Sequence, residues 1–311
     1  MTGGAGFIGS HLVERLLKEG YEVTAFDNFD DFYSGKEQNL GSAKVHPNFS
    51  LVRSSILDYE SLKNVLDGAQ YVFHLAAQPG VGFSFRNPTK TNLINTEGTL
   101  NVIRASLERN IERLIYASSS SVYGSVVTTP VDEEHPTKPL SIYGASKLAA
   151  ENYCLIYHQL KSLPVVCLRY HTVFGPRQRP DMALHRWSES LMSGQSPIVY
   201  GDGSQARDFT FVEDIVNGTI LAAESQGAIG HVMNLAAGSC VTVNDALREL
   251  QKLLGRTDVE ITYESAKPWD PQTTHADIRK AGRILGYQPK VTFEEGLKRF
   301  AEWVIRHVKQ S

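Results

Sequence analysis

The chain is poor in several features that would narrow its class. Its 311 residues include only three cysteines, Cys154, Cys167 and Cys240, far apart in sequence. They show no metal-ligand spacing and are too few for a disulfide framework, so they read as free thiols in a reducing cytoplasm. The ten histidines include no pair four residues apart. The sequence therefore predicts no metal site. A net charge of −3 supplies no basic field for nucleic acid or an acidic membrane surface. No run approaches the roughly 18 apolar residues of a membrane span. The opening residues lack the charged and apolar regions of a signal peptide. Internal repeats and low-complexity tracts are missing. The hydrophobic content of 41% and charged content of 21% are ordinary for a globular protein.

What is present begins at the first residue. MTGGAGFIGSH places Gly3, Gly6 and Gly9 three apart and leads into a helical run, HLVERLLKEG. In a dinucleotide-binding turn the first glycine permits the tight bend. The second lets backbone N–H groups approach a pyrophosphate, and the third lets the helix pack against the sheet. The partial positive charge of the helix N-terminus adds to the attraction. Asp27 stands 18 residues after Gly9, at the end of the strand YEVTAF. A carboxylate there can accept from both ribose hydroxyls and would repel a 2′-phosphate, so NAD is expected rather than NADP. Such a turn should follow a buried central strand, yet two residues precede Gly3. The sequence thus predicts coding sequence upstream of Met1, or a fragment.

Apolar runs then alternate with helical patterns. SLV at 50–52 is a strand, and Asp58 caps YESLKNVLDG. QYVFHLAA is a strand, NTEGTLNVIRASLERN a helix and ERLIYASSS a strand. SIYGASKLAAENYCLIYHQL is a long helix, LPVVCLRY a strand. This alternation predicts an α/β fold with a doubly wound parallel sheet. After Tyr170 come the loop FGPRQRP, the helix MALHRWSESLM, the strand SPIVYGDG and the helix VEDIVNGTILAAES. HVMNLAAG reads as one more strand of the first sheet, and the remainder is mostly helical. Residues 1–170, with about 208–237 returning to them, are expected to form the NAD-binding unit. Residues 171–207 and 238–311 are expected to form a smaller, mostly helical unit for the substrate.

The second chemical signal is SIYGASK, about 20 residues after the strand end SSSSVYG. Tyr143 and Lys147 are four apart, so they share a helix face. A neighbouring ammonium and a cationic nicotinamide both favour the phenolate. A drop of about three pKa units requires about 4 kcal/mol. The phenolate can take a sugar hydroxyl proton, and a serine from the strand end can share it.

With these motifs the chain resembles the extended short-chain dehydrogenase/reductase family, specifically its nucleotide-sugar epimerases and dehydratases. The similarity runs through TGGAGFIGSH, HLAAQ, SSSSVYG, SIYGASK, LRYHTVFGPRQRPDMA, GDGSQARDFTFVEDI and ADIRKAGRILGYQP. It implies a Rossmann-like fold, and Ser119, Tyr143 and Lys147 as the catalytic set. Cofactor contacts implied beside Gly3, Gly6 and Asp27 are Phe7, Ile8, Asn28, Ser55 and Ile56. Leu75, Ala76, Ala77, Gln78, Asn95 and Tyr170 complete them, together with Tyr143 and Lys147. The resemblance assigns Ser119, Ser120 and Thr172 to the sugar, Arg207 to a UDP diphosphate, and Lys267 and Asp270 to the nucleotide ribose. It also implies a homodimer built on the helices that carry Asn95 and Tyr143.

Two positions depart from the family. Ser55 stands where Asp usually meets adenine, and Trp269 stands where glycine is common before Asp270. Related dehydratases and decarboxylases place a carboxylate next to the catalytic hydroxyl residue, and Ser120 and Ser121 stand there here. Elimination then lacks its acid, and 4-epimerisation is expected. TVFGPRQRPDMA and NFDDFY look like those of UDP-glucuronate 4-epimerases. Arg179 is the expected grip on a C6 carboxylate, with Arg177 and Arg186 as competing readers. UDP-glucose or UDP-N-acetylhexosamine 4-epimerisation is the alternative. Less favoured are UDP-glucuronate decarboxylation and an NAD-binding regulator that does no catalysis.

Overall fold

The structure, a computed structural model, describes residues 1–308. The last residues of the expected C-terminal helix, 309–310, and Ser311 lie outside the described residues. Four parallel pairings, joined by the bridges of Thr2, build one sheet. Its strands are β1 (Val23–Phe26), β2 (Phe49–Val52), β3 (Tyr71–His74), β4 (Arg113–Ser119), β5 (Val165–Tyr170) and β6 (Val232–Leu235). β1 pairs with β2, and β3, β4, β5 and β6 pair in that order. Thr2 joins the two parts, bridging Phe26 of β1 and His74 of β3. The resulting order is β2-β1-Thr2-β3-β4-β5-β6, all parallel, so HVMNLAAG does return to the first sheet.

Residues 1–3 thus hold the central position that the glycine turn requires. Thr2 N–H donates to Phe73 O at 3.0 Å and Gly3 N–H to Phe26 O at 2.9 Å. The Met1 amine donates to Thr24 O at 2.7 Å. It is buried there, and desolvation lowers its pKa to about 5.

The strand sequences explain the layers. Ile115, Ala117, Val166 and Leu168 enter one apolar cluster, while Leu114, Tyr116, Val165 and Cys167 enter another. Successive residues of a strand point to opposite faces, so both faces of β4 and β5 are covered, as an all-parallel sheet requires. One face holds α1 (Phe7–Lys18) and the helix Val212–Glu224. The other holds α2 (Tyr59–Val65), α4 (Gly98–Glu108) and α5 (Ile142–Lys161). A short helix α3 (Val81–Arg86) precedes α4.

Helix starts follow local chemistry. The Asp58 carboxylate accepts from Ser61 N at 3.1 Å and opens α2. The Ser141 hydroxyl accepts from Gly144 N at 3.0 Å and opens α5. That cap fixes where the face carrying Tyr143 and Lys147 begins.

Beyond Tyr170 the chain forms helices Ala183–Met192, Val243–Leu253 and Phe293–Val308, with short strand pairs between them. The apolar cluster under α1 runs on into Phe174, Phe211, Phe293 and Phe300. Residues on both sides of Tyr170 therefore share one core. No helix of the described residues is long and apolar enough to cross a membrane.

Candidate active site

A cavity of about 400 Å³ runs along the C-terminal ends of the strands, with the glycine turn at one end and Tyr143 at the other. This is where open α/β sheets bind ligands.

The glycines are held there by close approach. Gly3 has φ +72°, and a Cβ on it would lie 2.6 Å from Ala76 N. A Cβ on Gly9 would lie 2.1 Å from Gly3 O. A larger residue at Gly9 would push α1 away from the turn, and one at Gly3 would push the turn away from the exit of β3. Asp27 ends β1. Its Oδ2 accepts from Ala5 N at 3.0 Å and its Oδ1 from Phe29 N at 2.9 Å. A carboxylate offers about four acceptor sites. The remaining capacity faces the cavity.

Phe7, Ile8 and Asn28 line the same end, with Ser55 and Ile56 beyond them. Leu75, Ala76, Ala77 and Gln78 form the floor, and Tyr170 closes it with its hydroxyl turned away to Thr219 Oγ1 at 2.7 Å. The N-terminal end of α1, a carboxylate at the end of β1 and an apolar floor fit a dinucleotide.

Asn95 is the exception among the expected cofactor residues. It stands behind the wall. Its Oδ1 accepts from Gln78 N at 2.7 Å, and its Nδ2 donates to Gln78 O at 3.2 Å and Ser146 Oγ at 2.9 Å. It sits in a π-turn, Leu93–Glu97, just before α4. The side chain therefore braces the exit of β3 against the helix of Tyr143.

At the other end Ser119, Ser120, Tyr143 and Lys147 meet. The Ser119 hydroxyl is within hydrogen-bonding reach of the Tyr143 phenol. Burial raises the pKa of Tyr143. The Arg179 charge and the Ser119 contact pull it down, and Asp181 raises it further. This differs from the expected lowering by Lys147: in the protein alone desolvation dominates. Lys147 is itself buried, and desolvation lowers its pKa to about 8. Its ammonium lies 4.6 Å from the centre of the Tyr116 ring.

The three arginines offered as carboxylate readers separate cleanly. Arg177, at φ 66°, binds Glu14 through NH1 at 3.0 Å and NH2 at 2.6 Å, and Asn39 O at 3.0 Å. It pins its loop to α1. Arg186 lies over the Tyr200 ring, 5.5 Å from its centre. Only Arg179 of the three lines the cavity, with Thr172 nearby. Its Nε and NH2 hold both oxygens of Asp181 at 2.9 and 3.1 Å.

Arg186, Arg207, Lys267 and Asp270 do not line the cavity; they form a second group. Arg207 pairs with Asp270 at 2.6 Å, and Lys267 lies 4.1 Å from the centre of the Tyr200 ring. The second group adjoins the first through Trp269, whose ring stacks on Phe85 of α3 at 4.7 Å. Lining residues that escaped the sequence reading include three with polar side chains at the ligand ends, Tyr33, Lys36 and Asp181. Asp181 had a signal, an acid two residues after Arg179 in RPDMA.

The family model described as GDP-mannose 4,6-dehydratase matches residues 1–300. The chain is similar to a UDP-glucuronate 4-epimerase of Thermodesulfobacterium geofontis. The two are 35% identical over 308 residues, covering 97% of this chain and 94% of the relative. Among solved structures it is similar to UDP-glucuronic acid 4-epimerase from Bacillus cereus, in complex with UDP-glucuronic acid and NAD. The TM-score is 0.94 at 36% identity, covering 98% of each chain. It is also similar to UDP-N-acetylglucosamine 4-epimerase from Methanobrevibacter ruminantium in complex with UDP-N-acetylmuramic acid. That match has a TM-score of 0.92 at 35% identity, covering 98% of this chain and 97% of the other. The chain belongs to the GDP-mannose 4,6-dehydratase family, within the extended short-chain dehydrogenases/reductases that its motifs resemble.

Proposed function

We propose that the protein is an NAD-dependent UDP-sugar 4-epimerase that interconverts UDP-glucuronate and UDP-galacturonate. The observation that carries the substrate assignment is Arg179, a cation beside Tyr143 at the reactive end of the cavity. The two other arginines of that region are engaged elsewhere.

NAD, when bound beside Tyr143, would supply a reversible hydride acceptor for C4 of the sugar. Tyr143 takes the C4 hydroxyl proton as general base, and Ser119 shares that proton through its contact with the phenol. Lys147, on the same face of α5, holds a positive charge near the phenol. Asp27 holds the ribose of the cofactor, and Asn95 keeps Gln78 and α5 in register. Arg207, Lys267 and Asp270 hold the UDP end, in the unit formed by 171–207 and 238–311.

Once C4 is oxidised, UDP-glucuronate is a β-keto acid and can lose CO₂. Arg179 opposes this by keeping the carboxylate charged and its C5 bond out of line with the carbonyl. Elimination of water is disfavoured by Ser120 and Ser121, which bring no acid to the cavity wall. The nearest acid, Asp181, is held by Arg179. The protein is read as a cytoplasmic homodimer.

A panel of UDP-sugars incubated with the holoenzyme and resolved by chromatography tests the proposal. UDP-galacturonate should form from UDP-glucuronate without release of CO₂. Turnover of UDP-glucose or UDP-N-acetylglucosamine with none of UDP-glucuronate would overturn the substrate assignment.

A further inference from the structure

The loop that follows β1 crosses the cavity as a strap. Phe29 N–H is held by Asp27, and Asp30 pairs with Lys90 at 2.8 Å. Phe32 packs edge-on against Phe83 of α3 at 5.1 Å. Lys36 donates to Asp30 O and lies 5.0 Å from the centre of the Tyr33 ring. The strap is therefore fixed on both sides, and Tyr33 is carried over the glycine turn. The Tyr33 hydroxyl is 3.7 Å from the place a Cβ on Gly6 would take. That oxygen is buried with no partner at full hydrogen-bond geometry; the Phe7 N–H at the start of α1 acts on it only as a donor, so its own proton has no acceptor among the described residues.

A buried hydroxyl without a partner costs roughly as much as a lost hydrogen bond. The surroundings indicate which partner would relieve it. Below lie the first amides of α1, which have no partners within their own helix. Beside it lie Lys36 and Arg179. The nearby acids have partners: Asp27 two backbone amides, Asp30 Lys90 and Phe32 N–H, and Asp181 the Arg179 guanidinium. Cations and unpartnered amides outnumber acceptors at the spot, the one spare acceptor being the capacity of Asp27 that faces the ribose end, which is the setting for an anion. Burial also raises the pKa of Tyr33 to about 12, so its proton is present at working pH.

We infer that Tyr33 donates its hydroxyl hydrogen bond to the pyrophosphate of the cofactor, from the side opposite the glycine turn. The inference rests on the NAD assignment above. The glycine turn grips one side of the pyrophosphate and the strap grips the other, so release of the cofactor requires the strap to lift.

Tyr33→Phe keeps the ring and its contacts with Phe32 and Lys36 and removes only the oxygen. Holoenzyme is mixed with an NAD glycohydrolase that destroys free NAD, and the nucleotide left on the protein is followed in time. A hydrogen bond to a charged group corresponds to about a ten- to hundred-fold change, so the variant should lose NAD faster by about that factor. Its nucleotide-free melting temperature should equal or exceed the parent's, since the hydroxyl it loses is unpaired there. In nucleotide-depleted protein, ADP should bind the variant more weakly by a similar factor, and adenosine, which has no phosphate, should bind both alike. Equal release rates from parent and variant overturn the inference while leaving the NAD assignment standing. So does an equal loss for adenosine, which would mean that Tyr33 acts on the shape of the strap. A parent that carries no NAD overturns the cofactor assignment and this inference with it.

Discussion

Lys147 should be a liability to the fold that carries it. Its side chain is 3% exposed and its ammonium makes no ion pair among the described residues. Desolvation lowers its pKa from 10.5 to about 8. At about 1.4 kcal/mol per unit, holding the charge in place costs about 3 kcal/mol at pH 7. The Tyr116 ring beneath the ammonium returns about 0.5–2 kcal/mol. Lys147→Met keeps the length and the apolar contact, so it should stabilise the nucleotide-free protein by about 1–3 kcal/mol, a sizeable fraction of a typical 5–15 kcal/mol.

The pH dependence gives the sign. The unfolded chain keeps this proton up to its ordinary pKa of 10.5, and the folded protein releases it above about 8. Below pH 8 both states are charged and the full cost is present. Between the two values the unfolded state binds more protons, so the parent gains stability as pH rises. The advantage of the Met variant should therefore shrink between pH 8 and 10.5. Equilibrium urea unfolding of both proteins at pH 7, 8, 9 and 10, with equal m-values, measures the difference. A variant less stable than the parent at pH 7, or an advantage that does not change with pH, would refute the account of Lys147 as a desolvated cation.

Three further outcomes are expected. Tyr143→Phe should retain NAD and lose about 10²–10⁴-fold in turnover, read from product formation and from nucleotide released on denaturation; a fully active variant would end its role as base. Asp27→Ala should weaken NAD more than NADP in equilibrium binding, because only the 2′-hydroxyl loses a partner; an equal loss would assign Asp27 to its bonds with Ala5 and Phe29. Arg179→Ala should bind UDP-glucuronate about ten- to a hundred-fold less tightly by calorimetry, while Arg177→Ala should lower the melting temperature through loss of Glu14 and leave that affinity alone. The reverse pattern would make Arg177 the reader.

The sheet was legible because its signals are local and redundant. VVCLRY is apolar on both faces, Asp58 and Ser141 announce helix starts, and glycine spacing needs no tertiary information. The helix Val81–Arg86 was not legible. VGFSFRNP has glycine, asparagine and proline within eight residues and no helical period, and its place is set by Phe32 packing on Phe83. The placement of Asn95 was hidden for a different reason. A motif shows that a residue matters, but whether its side chain meets ligand or backbone depends on the π-turn that rotates it toward Gln78. The three arginines looked equivalent in sequence because charge and spacing do not reveal partners. Glu14, which occupies Arg177, is 163 residues away.

Arg179 and Asp181 combine these points into one electrostatic arrangement. Asp181 occupies the edge of the guanidinium formed by Nε and NH2. Arginine has five N–H donors in a rigid fork, so the edge that includes NH1 remains for another anion. Asp181 therefore orients the free edge as well as neutralising the charge. A sugar carboxylate on that edge would bring a second negative charge near Tyr143. Asp181 already raises the pKa of that phenol and Arg179 already lowers it, so the added anion makes the base harder to form. An uncharged sugar imposes no such penalty. The cation that can offset it is Lys147, kept buried on the same helix face at a cost to stability. If the substrate is the anionic sugar proposed above, the Lys147 charge would be worth most with that carboxylate in the cavity, because Arg179 is already shared with Asp181.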